Sequence, residues 1–516
     1  MIKRPSSTGN FVGTFLLSFF TYLWTLAPTV IWGDSAGFAL EVRRSSLRIG
    51  TASDHPLYIL LGRIFARLPG ELAWNLNLLS ALFGALTVAF IYAITFKLTH
   101  SPSAGWTAAT ALCFSHAFWL HAVITEVYTL HAFFVALLIY LLLVWREHPQ
   151  TNYWLYLIGF TLLLGLTNHL ILASLLPALI YFIVVTDPSR IFSKKGVVKM
   201  IGFWGVAFLL FLIFPGSFIT TIQKLWFGPP PIYHYFTFPE GNILIKEVLF
   251  YFLYLMYQFP WIGFILGFWG IKSLLEVDVK TGIFLLLAMG INGLFFIKTT
   301  AWPSLGSTKY TFYISDYVIF SLFIGYGTFA IVWKYGKFGK GYKKRKTGGR
   351  LQPFDISGFL PLFLILAIVA APLLTYNLTP YLVKSLHIDL LHAREIPFRD
   401  NTAFFLNPGK RGEYGARRFG EEALRVVKPD AILIADYTPY TVLLYLQEIE
   451  ALRPDVIILS SNFYGSLKDL QPIVAEHFPE HPVYLAGINS GYYKIDNLQK
   501  NFNLVRVGPL FEVTKK

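Results

Sequence analysis

Long apolar windows dominate the first three-quarters of the chain. They run over Phe11–Trp32, Trp74–Phe96, Gly105–Leu120, Val127–Trp145, Trp154–Leu166, Leu170–Val185, Met200–Pro215, Val248–Ile271, Ile283–Ile297, Phe312–Trp333 and Ile356–Tyr376. A helix needs about 20 apolar residues to cross a bilayer core, so the pattern predicts about eleven membrane spans. Trp154–Leu166 and Leu170–Val185 are short for spans. The first window follows Lys3 and Arg4 and is too long for a signal-peptide core, so it is expected to remain as a span.

Two segments depart from the alternation of span and short loop. Gly33 to Glu71 contains Leu57, Leu60, Leu61, Ile64, Phe65 and Leu68 at helical spacing, with Arg63 and Arg67 between them. That predicts an amphipathic helix lying in the interface plane. Ser217 to Leu244 forms a second long loop, rich in proline and aromatics. From about His387 onward charge and turn residues return. Ala431–Ala435, Val456–Leu459 and Val483–Leu485 read as buried strands, with helices over Thr441–Leu452 and Leu467–Phe478 between them. Apolar strands alternating with helices predict a small parallel α/β domain. The expected architecture is an α-helical polytopic membrane domain over residues 1–376, followed by an α/β soluble domain over residues 387–516.

Composition agrees with a chain that faces lipid. Of its 516 residues 55% are hydrophobic and 14% charged, where a soluble chain carries about 25% charge. The net charge of +14 sits in short loops between spans, which suits membrane orientation rather than nucleic-acid binding. Basic loops at Arg190–Lys199 and Lys334–Arg350 then face the cytoplasm, the N-terminus is cytoplasmic, and the tail is extracytoplasmic. In a prokaryote the host would be the plasma membrane. The lone Cys113 excludes an internal disulfide framework and a cysteine-based zinc site.

Ionisable groups near a bilayer are costly and therefore functional candidates. Asp34, in Trp32-Gly33-Asp34-Ser35, could serve as general base on a hydroxyl, or could cap a short helix beginning at Ser35. Asp54 and His55 precede the amphipathic helix, where Pro56 suits a first helical turn. Glu126 lies in the turn between the third and fourth windows, flanked by His116, His121 and His131, and Asn168-His169 ends the fifth. None of these has a zinc-binding spacing. Topology alone brings Asp34, Asp54, Glu126 and His169 to one face. Cations on that face that could meet a phosphate are Arg43, Arg44, Arg48, Arg63, Lys224 and Lys309. Arg63 could equally snorkel beside headgroups. No Walker A or dinucleotide-binding glycine pattern occurs.

Trp32-Gly33-Asp34-Ser35, Asp54-His55-Pro56-Leu57-Tyr58 and Asn75-Leu76-Asn77-Leu78-Leu79-Ser80 together resemble the N-terminal signature of a membrane family filed as domain of unknown function 2723. That family includes transmembrane protein O-mannosyltransferases. Glu126-Val127-Tyr128, Thr167-Asn168-His169 and Arg453-Pro454-Asp455-Val456 are similar to further family positions. The chain departs from the family pattern at Asp54–Tyr58, which lacks a second proline and a glycine, and at the turn Ala435-Asp436-Tyr437-Thr438.

The resemblance implies a GT-C glycosyltransferase architecture and a polyprenyl-phosphate sugar as donor. It implies an acidic base in the first outer loop, which carries over to Asp34. The expected reaction is an inverting transfer of the sugar to an acceptor hydroxyl on a protein or glycan. Asp34, Glu126 and Asp54 would be catalytic, while His55, Arg63, Asn168, His169 and Lys309 would bind substrate. Neither a metal nor a cofactor is expected. A lipid or sugar transporter is the alternative from another class, although no matching pair of interrupted spans stands out in the sequence.

Overall fold

A computed structural model describes residues 7–44, 55–189, 241–298, 309–343, 356–388, 394–463 and 466–516. The span expected at Met200–Pro215, most of the loop Ser217–Leu244, and the candidates Asp54, Arg48 and Lys224 lie outside the described residues.

The first apolar window folds as α1 (Ser7–Trp24). The expected outer loop holds two helices, α2 (Asp34–Arg43) and α3 (Pro56–Phe65). The chain continues through α4 (Leu72–Thr99), α5 (Pro102–Cys113), α6 (His116–Ala122), α7 (Tyr128–Glu147) and α8 (Asn152–Leu166). A 3-10 turn at Leu170–Leu175 leads into α9 (Leu176–Thr186). Then come α10 (Gly241–Gln258), α11 (Ile262–Val277) and α12 (Val279–Lys298), a 3-10 turn at Lys309–Tyr313, α13 (Ile314–Lys343) and α14 (Ile356–Ser385).

Among the described residues five helices are long and apolar enough to cross a bilayer, and α10 with α11 makes a sixth if the bent pair is one span. The window Val248–Ile271, expected as one helix, is broken between these two and bent by 110°. Pro260 cannot continue α10, and Trp261 sits at φ +56°, a left-handed conformation that reverses the chain. Gly105–Leu120 likewise folds as two helices, α5 and α6, parted by Phe114 and an extended Ser115.

At the bundle's centre α4 packs on α1, α5 and α7, while α13 packs on α5 and α11. The crossing of α11 and α13 is tight enough to need glycine. A Cβ on Gly270 would stand 1.8 Å from the Phe323 carbonyl oxygen, and one on Gly327 would stand 2.1 Å from that of Leu266. Small residues allow such approach between apolar helices, where dispersion contacts rather than water exclusion hold the pair. Helix α14 turns Phe359, Leu362, Phe363, Leu366 and Leu374 outward, the surface expected against lipid.

The tail is built from α15 (Asn401–Leu406), α16 (Gly415–Val426), β1 (Ile432–Ala435), α17 (Tyr437–Glu448), β2 (Ile457–Ser460), the short pair β3 (Asn462–Phe463) and β4 (Ser466–Leu467), α18 (Leu470–His477), β5 (Val483–Leu485), α19 (Leu498–Asn501), β6 (Phe502–Val507) and β7 (Leu510–Lys515). Its main sheet has the order β2-β1-β5-β7-β6. The three strands read from the sequence are the parallel ones, with Ile432 opposite both Ile457 and Val483. The remaining two form an antiparallel hairpin, turned at Gly508 with φ +58°, that extends the sheet beyond β5.

The tail docks on the membrane domain mainly through α17, which lies along α2. Arg44 grips Glu448 with two hydrogen bonds of 3.1 and 2.8 Å. Tyr445 Oη donates to Glu71 Oε1 at 3.3 Å and accepts from the Ala73 amide at 3.2 Å. Trp32 meets Phe419 of α16 with ring centroids 5.4 Å apart.

Candidate functional site

Asp34 is the first residue of α2, preceded by Gly33 at φ +71°, a conformation that favours glycine. The capping reading is not what the structure shows. Gly33 occupies the cap position, and the exposed Asp34 carboxylate accepts a hydrogen bond of 2.7 Å from Tyr437 Oη. Thr441, one turn further along α17, donates to the Gly33 carbonyl at 2.9 Å. Tyr437 is itself fixed by its neighbour Asp436. That buried carboxylate caps α17 through the Thr438 amide, accepts from Tyr493 Oη at 2.6 Å, and holds both terminal nitrogens of Arg394. The tail's β1–α17 turn is thus a rigid mount for a phenol aimed at the first-loop carboxylate.

Glu126 lies in the turn between α6 and α7 and is 9% exposed. The loop is anchored by Ser80 Oγ, which faces both the amide and the carbonyl of Glu126 at 3.3 Å. Burial pushes the Glu126 carboxyl well above the usual carboxylate range, and the Asp34 charge pushes it further in the same direction. The two carboxyl groups are therefore near enough to interact. One is buried, and the other is exposed and bonded to a phenol.

The histidines gather beside them. His55 precedes α3, and its Nδ1 bonds the carbonyl of Asn168. Its ring lies 5.0 Å from His169 and 5.7 Å from Phe38, one turn after Asp34. His169 in turn lies 5.6 Å from both His131 and Tyr128. Asn168 is buried and donates to the Val127 carbonyl at 3.2 Å, which joins the turn after α8 to the Glu126 loop. Three loops distant in sequence thus meet, and Asp34, Glu126, His55, Asn168 and His169 share one site. Desolvation drives the His169 imidazolium well below its ordinary range, so this residue is a neutral ring. Among the described residues no three His, Cys, Asp or Glu side chains converge as metal ligands.

The two predicted cations occupy different settings. Arg63 on α3 is half-buried and donates to the Arg44 carbonyl, at the end of α2, at 3.0 Å. Leu60 and Ile64 on the same helix are about half exposed while Tyr58, Ile59 and Gly62 are buried, the arrangement expected of a helix in the interface plane. Lys309 opens the 3-10 turn before α13 and is fully buried in an ion pair with Glu247 of α10, at 2.5 Å. Its neighbour Tyr310 lies 6.0 Å from the His116 ring. Sequence reasoning missed Tyr437 and Lys410. Both are in the tail and reach the membrane domain only through the docking of the two parts.

The comparisons bear on this arrangement. Residues 42–191 match the family model described as the Protein O-mannosyl-transferase TMEM260 N-terminal domain. The resemblance read from the motifs holds. Protein O-mannosyl-transferase tmem260 of Dictyostelium discoideum is 23% identical over 355 residues, covering 61% of this chain and 40% of that protein. The Mus musculus protein of the same description is 32% identical over 125 residues, covering 24% of this chain and 18% of its own. The chain thus spans less than half the length of either relative. In fold it is similar to ArnT from Cupriavidus metallidurans, whose structure was solved bound to undecaprenyl phosphate. The TM-score is 0.54 at 13% identity, with 98% of this chain and 97% of that one covered. The apo oligosaccharyltransferase of Archaeoglobus fulgidus gives a TM-score of 0.54 at 12% identity, covering 94% of this chain and 69% of its own. The fold is therefore GT-C-like, a bundle of apolar helices followed by a small C-terminal sheet, as the sequence led one to expect.

Proposed function

We propose that this chain is a membrane glycosyltransferase that moves a sugar from a polyprenyl-phosphate carrier to an acceptor hydroxyl. The observation that carries the reading is the gathering of the loops of Asp34, His55, Glu126 and Asn168-His169 at one end of a GT-C-like bundle, beside the amphipathic helix α3. The names of the relatives point the same way: those similar in sequence are described as protein O-mannosyl-transferases, and ArnT was solved with a polyprenyl phosphate.

In this reading Asp34 takes the proton of the acceptor hydroxyl. The hydroxyl oxygen attacks the anomeric carbon from the face opposite the phosphate. The bond from that carbon to the phosphate oxygen breaks, and the polyprenyl phosphate leaves with the electron pair. A phosphate is stable as an anion, so the departing oxygen needs cations more than a strong acid. Arg63 at the interface and Lys309, which shares its charge with Glu247, are candidates to meet it. Glu126, His55, Asn168 and His169 shape the acceptor side and position Asp34, with Asp54 beside them in sequence. No resident metal takes part in this scheme.

The site belongs on the extracytoplasmic side. The opposite end of the bundle carries Lys97 paired with Glu147, and Arg146 paired with Asp278. Lys334, near the far end of α13, lies toward that same end, as positive-inside orientation requires.

The rival, a transporter, would use broken spans in matched pairs. The one bent pair among the described residues, α10 with α11, has no such counterpart. Purified protein in detergent separates the two readings. An enzyme consumes radiolabelled polyprenyl-phosphate sugar when an acceptor is present, and a transporter, which needs two compartments, leaves it intact.

A further inference from the structure

Lys410 lies in the tail, in the turn Pro408-Gly409-Lys410-Arg411-Gly412 between α15 and α16, yet it is only 2% exposed. The turn is fastened to the membrane domain from several sides. The Lys410 amide donates to the Thr25 carbonyl just beyond α1, at 2.9 Å. Tyr257 Oη of α10 donates to the Leu406 carbonyl at 3.1 Å. Arg411 stacks on Trp24 at 3.8 Å from the ring centre, and Trp24 is two-thirds exposed, as suits an indole in the headgroup layer.

The ammonium points inward. Its Nζ donates to the Asn407 carbonyl and lies 5.3 Å from the centre of the Phe404 ring. Among the described residues no carboxylate pairs with it within 4 Å, in contrast to Lys309 with Glu247. Tyr257, which holds the Leu406 carbonyl, packs on His116 of α6 with ring centroids 5.2 Å apart, and α6 leads into the Glu126 loop. The His121 ring lies 4.6 Å from Tyr128, whose ring lies 5.6 Å from that of His169. His116 lies 6.0 Å from Tyr310. Lys410 thus lies where the tail closes onto the end of α1 and onto α6, the helix that leads into the Glu126 loop.

A buried cation with no carboxylate in direct contact is costly, since buried charges are ordinarily paired. We propose that Lys410 binds the phosphate group of the polyprenyl-phosphate carrier, so that the tail domain completes the donor site. The inference rests on the glycosyltransferase reading and deepens it. Burial pulls the ammonium down to about 7, only partly opposed by Glu413, so without an anion the charge is held at a cost. A phosphate bound to Lys410 would restore the full charge and gain a charge-assisted bond in a dry site.

The test uses the full chain in detergent, with undecaprenyl phosphate as probe and thermal unfolding as readout, since a ligand that binds only the folded form raises the midpoint. The lipid raises the midpoint of the wild type and of Asp34→Asn. Lys410→Met removes a buried charge, so without lipid it unfolds at or above the wild-type temperature, while its affinity for the lipid falls by about tenfold or more. Equal affinity in wild type and Lys410→Met overturns the assignment to Lys410 and leaves the glycosyltransferase reading standing. No lipid effect on the wild type removes both. Inorganic phosphate at the same concentration is the second arm, and if it displaces the lipid effect, the site is for a soluble anion and the lipid assignment falls. Should Lys410→Met not fold, a photoreactive polyprenyl phosphate on the wild type decides. Labelling within residues 404–413 supports the proposal, and labelling confined to other segments overturns it.

Discussion

Tyr437 Oη donates a 2.7 Å hydrogen bond to Asp34 Oδ1, across 403 residues of sequence. This contact joins the soluble tail to the first-loop carboxylate of the membrane domain. It makes the tail part of the site rather than an appendage, because Asp436 and Arg394 lock the turn from which Tyr437 projects. Removing the phenol oxygen with Tyr437→Phe takes one charge-assisted bond from the base. We expect turnover to fall by about tenfold, the rough worth of a hydrogen bond to a charged group. Steady-state assays of the purified variant check this, and the loss should fall on kcat more than on the donor KM.

Glu126 gives a pH signature. Its folded-state pKa is raised above the unfolded value by burial and by Asp34. The folded protein therefore binds the extra proton, and the stability this contributes is complete at pH values below the unfolded pKa. It is lost as pH rises through the folded pKa. Glu126→Gln has no proton to lose. Thermal midpoints measured from pH 5 to pH 9 should decline more steeply for the wild type than for the Gln variant.

The contact of α2 with α3 depends on a small residue. A Cβ on Gly62 would come within 2.6 Å of Val42 Cγ2 and 3.2 Å of Leu76 Cδ2. Gly62→Ala should lift the interfacial helix from α2 and cost about 1–3 kcal/mol, the usual penalty of overpacking. Thermal unfolding in detergent measures it. The substitution should also weaken donor binding if α3 guides the lipid.

Arg63 donates to the last carbonyl of α2 from the interfacial helix. Arg63→Met keeps the apolar stem and removes the charge. We expect the KM for a polyprenyl-phosphate sugar to rise and kcat to fall several-fold, as befits a group that meets the departing phosphate.

Much of this was legible in the chain. The apolar windows marked the bundle, and the motif around Asp34 marked the loop. The positions of Glu126 and Asn168-His169 at the same ends of their spans foretold that they would meet. What local pattern could not supply were the breaks inside windows and the contacts between distant parts. Pro260 signalled a bend, but only the left-handed Trp261 turns it into a reversal. The β6–β7 hairpin carried its own signal in Gly508-Pro509 between two runs of alternating residues, which was passed over. Lys410 is of another kind. A lysine between glycines reads as a solvated turn, and it becomes a buried cation only because the tail closes onto α1 and α6. Tyr437 likewise means nothing until α17 lies on α2.

The most direct test is single-turnover transfer by Asp34→Asn, with purified protein, labelled polyprenyl-phosphate sugar and a hydroxyl acceptor. The variant should insert, fold and bind the carrier as the wild type does, and form no glycosylated product. Product formed at the wild-type rate would contradict the account, since no carboxylate base would then stand at Asp34.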